Sequence, residues 1–77
     1  MTMPLSMATP GIYKVRAING GRRMLRRLTD MGLRLESVLQ VISVDPFGPV
    51  IVQINNTRLA LGRGVAHRII VEEGGMG

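Results

Sequence analysis

Arg22–Leu35 reads RRMLRRLTDMGLRL, and it is the only stretch of the chain whose apolar residues follow a helical spacing. Met24, Leu25, Leu28 and Met31 recur every three or four positions, which puts them on one face of a short helix of about three turns. Arg22, Arg23, Arg26 and Arg27 occupy most of the remaining surface. Gly32 stands just past the last apolar position, where helices often end on a left-handed residue, and Leu33 can then fold back onto the last turn. The spacing predicts a helix that plugs one end of a small β-structure, with Leu28, Met31, Gly32 and Leu33 as its structural residues and an arginine-rich face left outside.

The charges on this helix run against its dipole. Arg22 and Arg23 sit at the positive end and Asp30 near the negative end. Arg22/Arg26 and Arg23/Arg27 are like-charge neighbours four residues apart, each costing about 0.2–0.5 kcal/mol in an isolated helix. Packing of the apolar face could make those tenths irrelevant. The reading preferred here is a surface kept for a partner, carried by Arg23, Arg26 and Arg27, because arginine suits fork-like contacts to carboxylates and phosphates. Lys14 and Arg16 are candidates to extend it.

Outward from the helix the chain reads as strands. Residues 1–9 form a loosely attached arm in which Leu5 and Met7 could cover a barrel edge. Thr9-Pro10-Gly11 is a turn signal, and Ile12–Ile18 alternates with Tyr13, Val15 and Ala17 on one face. Gly20-Gly21 admits the helix. Val38–Val44 is apolar at almost every position, as expected of a strand covered on both faces. Asp45–Pro49 is a rigid loop with two prolines. Val50–Ile54 and Thr57–Leu61 flank Asn55-Asn56, a pair suited to a two-residue hairpin. Gly62–Ala66 reads as a tight turn, Arg68–Val71 as the closing strand, and residues 73–77 as a disordered tail. About five short strands with one helical insert are most economically an SH3-like, partly open barrel over residues 10–72, since closure removes exposed strand edges. An OB-fold is the alternative and usually takes more residues.

Composition narrows the function. A chain of 77 residues makes one small domain. With no Cys, there is neither a disulfide framework nor a thiolate metal site. Eight Val, seven Ile and eight Leu against one Tyr and one Phe favour strands built on aliphatic packing. No apolar run reaches the roughly 18 residues of a membrane span, and the N-terminus lacks signal-peptide character. The chain therefore reads as cytoplasmic, without membrane insertion. A net charge of +5 from ten Lys and Arg against five carboxylates fits an anionic partner, although it also serves solubility. Catalysis finds little support: His67 is the single histidine, and Asp30, Glu36, Asp45, Glu72 and Glu73 are scattered. No spacing matches a metal motif, so neither a metal site nor a cofactor is expected. Gly20-Gly21 lacks the residues of a phosphate-binding loop. Nucleic acid is the rival partner on charge, yet two aromatics make a poor stacking platform. A proline-peptide groove fails on the same count.

The segments RRLTDMGL, VLQVI, DPFGPVIVQI and TRLALGRGVAHRIIV together resemble the FeoA family of ferrous iron transport accessory proteins. Most specific are Arg27-Leu28-x-x-Met31-Gly32-Leu33, the Pro46–Pro49 loop, and Leu59-Ala60-Leu61 with Ala66 and Ile69. Where the family usually carries Pro-Gly before the next strand, this chain has Leu35-Glu36. The resemblance, which runs from about Pro4 to Glu72, implies an SH3-like barrel with a helical insertion, similar to the C-terminal domain of iron- and manganese-dependent repressors. It also implies a non-catalytic adaptor that docks on the cytosolic G-protein part of a FeoB-type ferrous iron permease and modulates uptake. A homo-oligomer stays open at this point.

Overall fold

The computed structural model describes residues 1–74. In chain order the elements are β1 (Thr2–Pro4), β2 (Gly11–Ile18), α1 (Arg22–Asp30), β3 (Val38–Val44), β4 (Val50–Ile54), β5 (Thr57–Leu61), α2 (Arg63–Arg68) and β6 (Ile69–Glu73), with a 3-10 turn over Leu5–Met7. The strands form one antiparallel sheet in the order β1-β6-β2-β3-β4-β5. β1 and β5 do not pair with each other, so the barrel is partly open.

One side of the sheet carries the core. Val15 on β2, Val41 on β3, Val50 and Val52 on β4 and Val71 on β6 are fully enclosed, together with Leu5, Leu33, Ala66 and Ile69. Two register shifts bend the sheet around them, one at Arg16 between Val15 and Ala17, the other at Ile42 between Val41 and Ser43. Each inserts an extra residue and increases local twist, as closure requires. Asn55 and Asn56 take φ values of 49° and 67°, the double positive-φ pattern of a type I′ hairpin. Tyr13 is buried with its polar end satisfied: its hydroxyl donates to the Thr9 carbonyl at 2.8 Å and accepts from the Thr9 amide at 3.2 Å.

Four sequence expectations change. The N-terminal arm is anchored: Thr2, Met3 and Pro4 pair with Glu72, Val71 and Ile70, adding a sixth strand, and Leu5 is wholly enclosed, while Met1 and Met7 stay exposed. Gly62–Ala66 is no simple turn, because Arg63–Arg68 forms a helix with Ala66 buried against the core. Burial of one face outweighs the poor helix propensity of Gly64. β3 alternates, with Leu39 and Val41 inside while Val38 stays 47% exposed. The closing strand extends to Glu73, and residues 75–77 of the expected tail lie outside the described residues. No helix among the described residues is long and apolar enough to cross a membrane.

Candidate interaction site

α1 spans nine residues and begins at Gly21 with no side-chain cap and no acidic residue in its first turn. What holds it is its C-terminal end. The Leu33 amide donates to the Leu28 carbonyl and the Gly32 amide to the Thr29 carbonyl, both at 2.9 Å, with Gly32 at φ 87°. This is the paired 6→1 and 5→2 arrangement of a Schellman stop, with Leu28 and Leu33 supplying its apolar contact inside the core.

The apolar face does not seat as a whole. Leu28 is 2% exposed, whereas Leu25 and Met31 remain 38% and 39% exposed. Met24 packs against the core's edge, and a Cβ on Gly20 would collide with its thioether. Four apolar residues of a helix cover a wider arc than the barrel mouth presents, so only the central one is enclosed. Met24 and Met31 border a groove of about 580 Å³ between α1 and the end of β5, and Leu25 lies outside it. Its floor is Met24, Leu28, Met31, Leu61 and Val65, and Arg23 and Arg27 stand along its side.

The structure sorts the basic residues of β2 and α1 into two groups. Lys14 and Arg16 are engaged: Arg16 pairs with Glu36 at 3.1 Å and with Glu72 at 3.2 Å, and Lys14 lies 3.8 Å from Glu36. Their charge is largely matched, so they do not extend the helix patch. Arg22, Arg23, Arg26 and Arg27 form no ion pair among the described residues, Asp30 included. Arg26 is exposed but does not line the groove. Ala60 and Leu61, marked in the sequence only by the family resemblance, and Val65 complete this site, because the fold brings them beside α1.

Glu36 carries a backbone feature absent from the sequence reading. The Ser37 amide bonds the Arg34 carbonyl at 3.1 Å and Glu36 has φ 70°, so Leu35 and Glu36 are the central residues of a type II-like turn. Such turns favour Pro and Gly at those two positions.

On the far side, His67 is exposed, with Nδ1 at 3.3 Å from the Ser6 hydroxyl. Arg63 donates to the carbonyls of Asp45 and Ser6 at 2.7 and 3.3 Å, tying the Asp45 loop to the N-terminal turn. Among the described residues no three His, Cys, Asp or Glu side chains converge as a metal site would need.

Comparison with known proteins agrees with this architecture. A protein of Methanocaldococcus jannaschii with the provisional name Fe(2+) transport protein A is 38% identical over 71 residues, 91% of this chain and 85% of its own length. The crystal structure of an iron uptake regulatory protein (FeoA) superposes with a TM-score of 0.86 at 37% identity, covering 94% of this chain and 97% of that one. The manganese regulator SloR shares the fold alone, at 20% identity and a TM-score of 0.84; this chain spans 34% of its length. The FeoA domain profile itself matches residues 3–73, which take in both walls of the groove, and the chain therefore belongs to the FeoA family, the non-catalytic accessory proteins of ferrous iron transport.

Proposed function

We propose that this protein acts as a cytoplasmic adaptor of ferrous iron transport, docking through the arginine side of α1 on the cytosolic part of a FeoB-type permease and modulating uptake. The observation that carries the reading is the pairing state of the arginines. Among the described residues, this small domain pairs Lys14 and Arg16 with its own carboxylates and leaves Arg23, Arg26 and Arg27 without any, next to half-exposed Leu25 and Met31. Cationic side chains beside an adaptable apolar surface suit an acidic protein face, where charge sets on-rate and apolar burial sets residence time. Nucleic acid would need stacking surfaces, yet Tyr13 is buried and Phe47 alone among the aromatics is exposed.

The test is the measured affinity of the full chain for the purified cytosolic domain of a FeoB-type permease as salt is varied. The adaptor reading expects saturable binding that weakens with salt and with Arg23→Glu/Arg27→Glu. Absence of binding at low salt, with both proteins folded, would remove it.

A further inference from the structure

We infer that the groove between α1 and β5 receives an extended segment of a partner protein, in which apolar side chains alternate with carboxylates, and that this segment adds to the sheet as a strand beside β5.

The sheet ends at β5. Ile54 and Thr57 close the two-residue hairpin, with Arg58 opposite Gln53, Leu59 opposite Val52, Ala60 opposite Ile51 and Leu61 opposite Val50. Hydrogen-bonded and non-bonded pairs alternate along an antiparallel ladder, starting from the bonded pair at a two-residue turn. Thr57, Leu59 and Leu61 thus spend their backbone groups on β4, while Arg58 and Ala60 aim theirs outward. Among the described residues β5 has no other strand partner. Arg58 is the one charged residue on this edge, and neither a proline nor a bulge interrupts it.

α1 runs alongside that edge. At one end a Cβ on Gly32 would lie 3.5 Å from the Asn55 side chain at the hairpin. At the other, Gly21 and Gly62 line the same groove, and Ala60 lines it between them. One wall therefore offers backbone donors and acceptors, the floor offers Met24, Leu28, Met31 and Leu61, and the helix side offers two guanidinium groups in no ion pair among the described residues. A helix seated there would leave the outward backbone groups of Ala60 without a protein partner. An extended segment satisfies them, sends every second side chain to the apolar floor and presents the intervening ones to Arg23 and Arg27. Charge complementarity makes those intervening residues acidic.

The inference depends on the docking reading for the identity of its partner and on the groove alone for its geometry. The test uses the full 77-residue chain and a capped synthetic peptide alternating valine with glutamate, followed by amide exchange at each residue. A valine–lysine peptide is the control. The expected result is saturable binding of the glutamate peptide, with exchange at Ala60 slowed about tenfold or more. Ala60→Pro, which removes an outward N–H and no ladder bond, should weaken binding about tenfold with the fold intact. Should that variant unfold, Arg23→Glu/Arg27→Glu decides: inversion of preference toward the lysine peptide supports the inference, and an unchanged preference overturns it. Binding that stays undiminished in folded Ala60→Pro overturns it, as does no saturation by about 1 mM peptide. Concentration-dependent protection of Ala60 without peptide would assign the edge to a second copy of this chain instead. If the permease domain binds Ala60→Pro as well as the parent, strand addition falls and docking stands. If the peptide binds and the permease domain does not, the reverse holds.

Discussion

The Leu33 amide donates to the Leu28 carbonyl at 2.9 Å, and both side chains lie within the core. One bond and one contact thus fix where the arginine-bearing helix stops and how it is aimed. The relationship exists only because Gly32 between them takes φ 87°. Gly32→Val should cost about 1–2 kcal/mol, since a β-branched residue is strained in that conformation. Chemical denaturation reads it directly, and a midpoint equal to the parent's would show that the helix stop is not set there.

The Arg34–Ser37 turn gives a prediction of opposite sign. Glu36 holds a left-handed conformation at φ 70°, and its pairs with Arg16 and Lys14 are well exposed, its side chain at 61%. Exposed pairs contribute about 0–1 kcal/mol, against about 1–2 kcal/mol of backbone strain. Leu35→Pro/Glu36→Gly should therefore raise the melting temperature. The gain should widen with salt, because salt screens the pairs of the parent and leaves the backbone term untouched. A lower melting temperature at high salt would mean the turn is not of this type.

Leu28 and Leu25 have the same chemistry, three positions apart on the same helix, and opposite surroundings. Leu28→Ala should lose about 2–5 kcal/mol as a cavity opens in the core. Leu25→Ala should lose less than about 1 kcal/mol. Equal losses at the two sites would contradict the seating of the helix.

That pair also marks where sequence reading stops. Periodicity places both residues on the apolar face, but which of them meets the barrel depends on the helix's rotation, which the Leu28–Leu33 stop fixes. The hairpin at Asn55-Asn56 was legible because its turn chemistry is local, and the central strands because their apolar runs are long. β1 was hidden for the opposite reason: Thr2–Pro4 is three residues long and becomes a strand only by pairing with β6, which closes from the other end of the chain. α2 was masked by Gly62 and Gly64, whose low propensity is overridden by burial of Ala66. The candidate site was half legible. Arg23 and Arg27 stood out by their charge order, while on the opposite wall Ala60 and Leu61 were marked by the family resemblance alone and nothing placed them or Val65 beside the helix. Lys14 and Arg16 looked equivalent to them until the fold brought Glu36 and Glu72 alongside.

Metal addition separates an adaptor from a carrier. His67 shares a hydrogen bond with Ser6 and belongs to no group of three His, Cys, Asp or Glu ligands among the described residues. A site loaded at about 100 times its dissociation constant would add about 2.7 kcal/mol. Fe(II), Mn(II) and Zn(II) should each leave the melting temperature unchanged. An upward shift that disappears in His67→Ala would make the histidine a ligand and the protein more than an adaptor.

The remaining prediction separates a protein partner from a nucleic acid. Arg23→Glu/Arg27→Glu should leave the fold intact, because both residues are exposed and neither is in an ion pair among the described residues. The dipole favours acid at position 23 in the first turn and opposes it at position 27 in the last, so the two effects largely offset at a few tenths of a kcal/mol each. Affinity for the permease domain should fall, chiefly through a slower and less salt-sensitive association. Affinity for nucleic acid would fall as well, so the variant needs a companion measurement. That measurement is the binding of the parent chain to a generic single-stranded oligonucleotide over a range of salt. Neutralising Z phosphates gives a log-log slope of about −0.7Z on a single strand. The adaptor reading expects weak binding, since arginines without an aromatic platform supply charge and no stacking. A steep slope from several phosphate contacts, with micromolar affinity surviving at physiological salt, would transfer the arginine face from a protein partner to a nucleic acid.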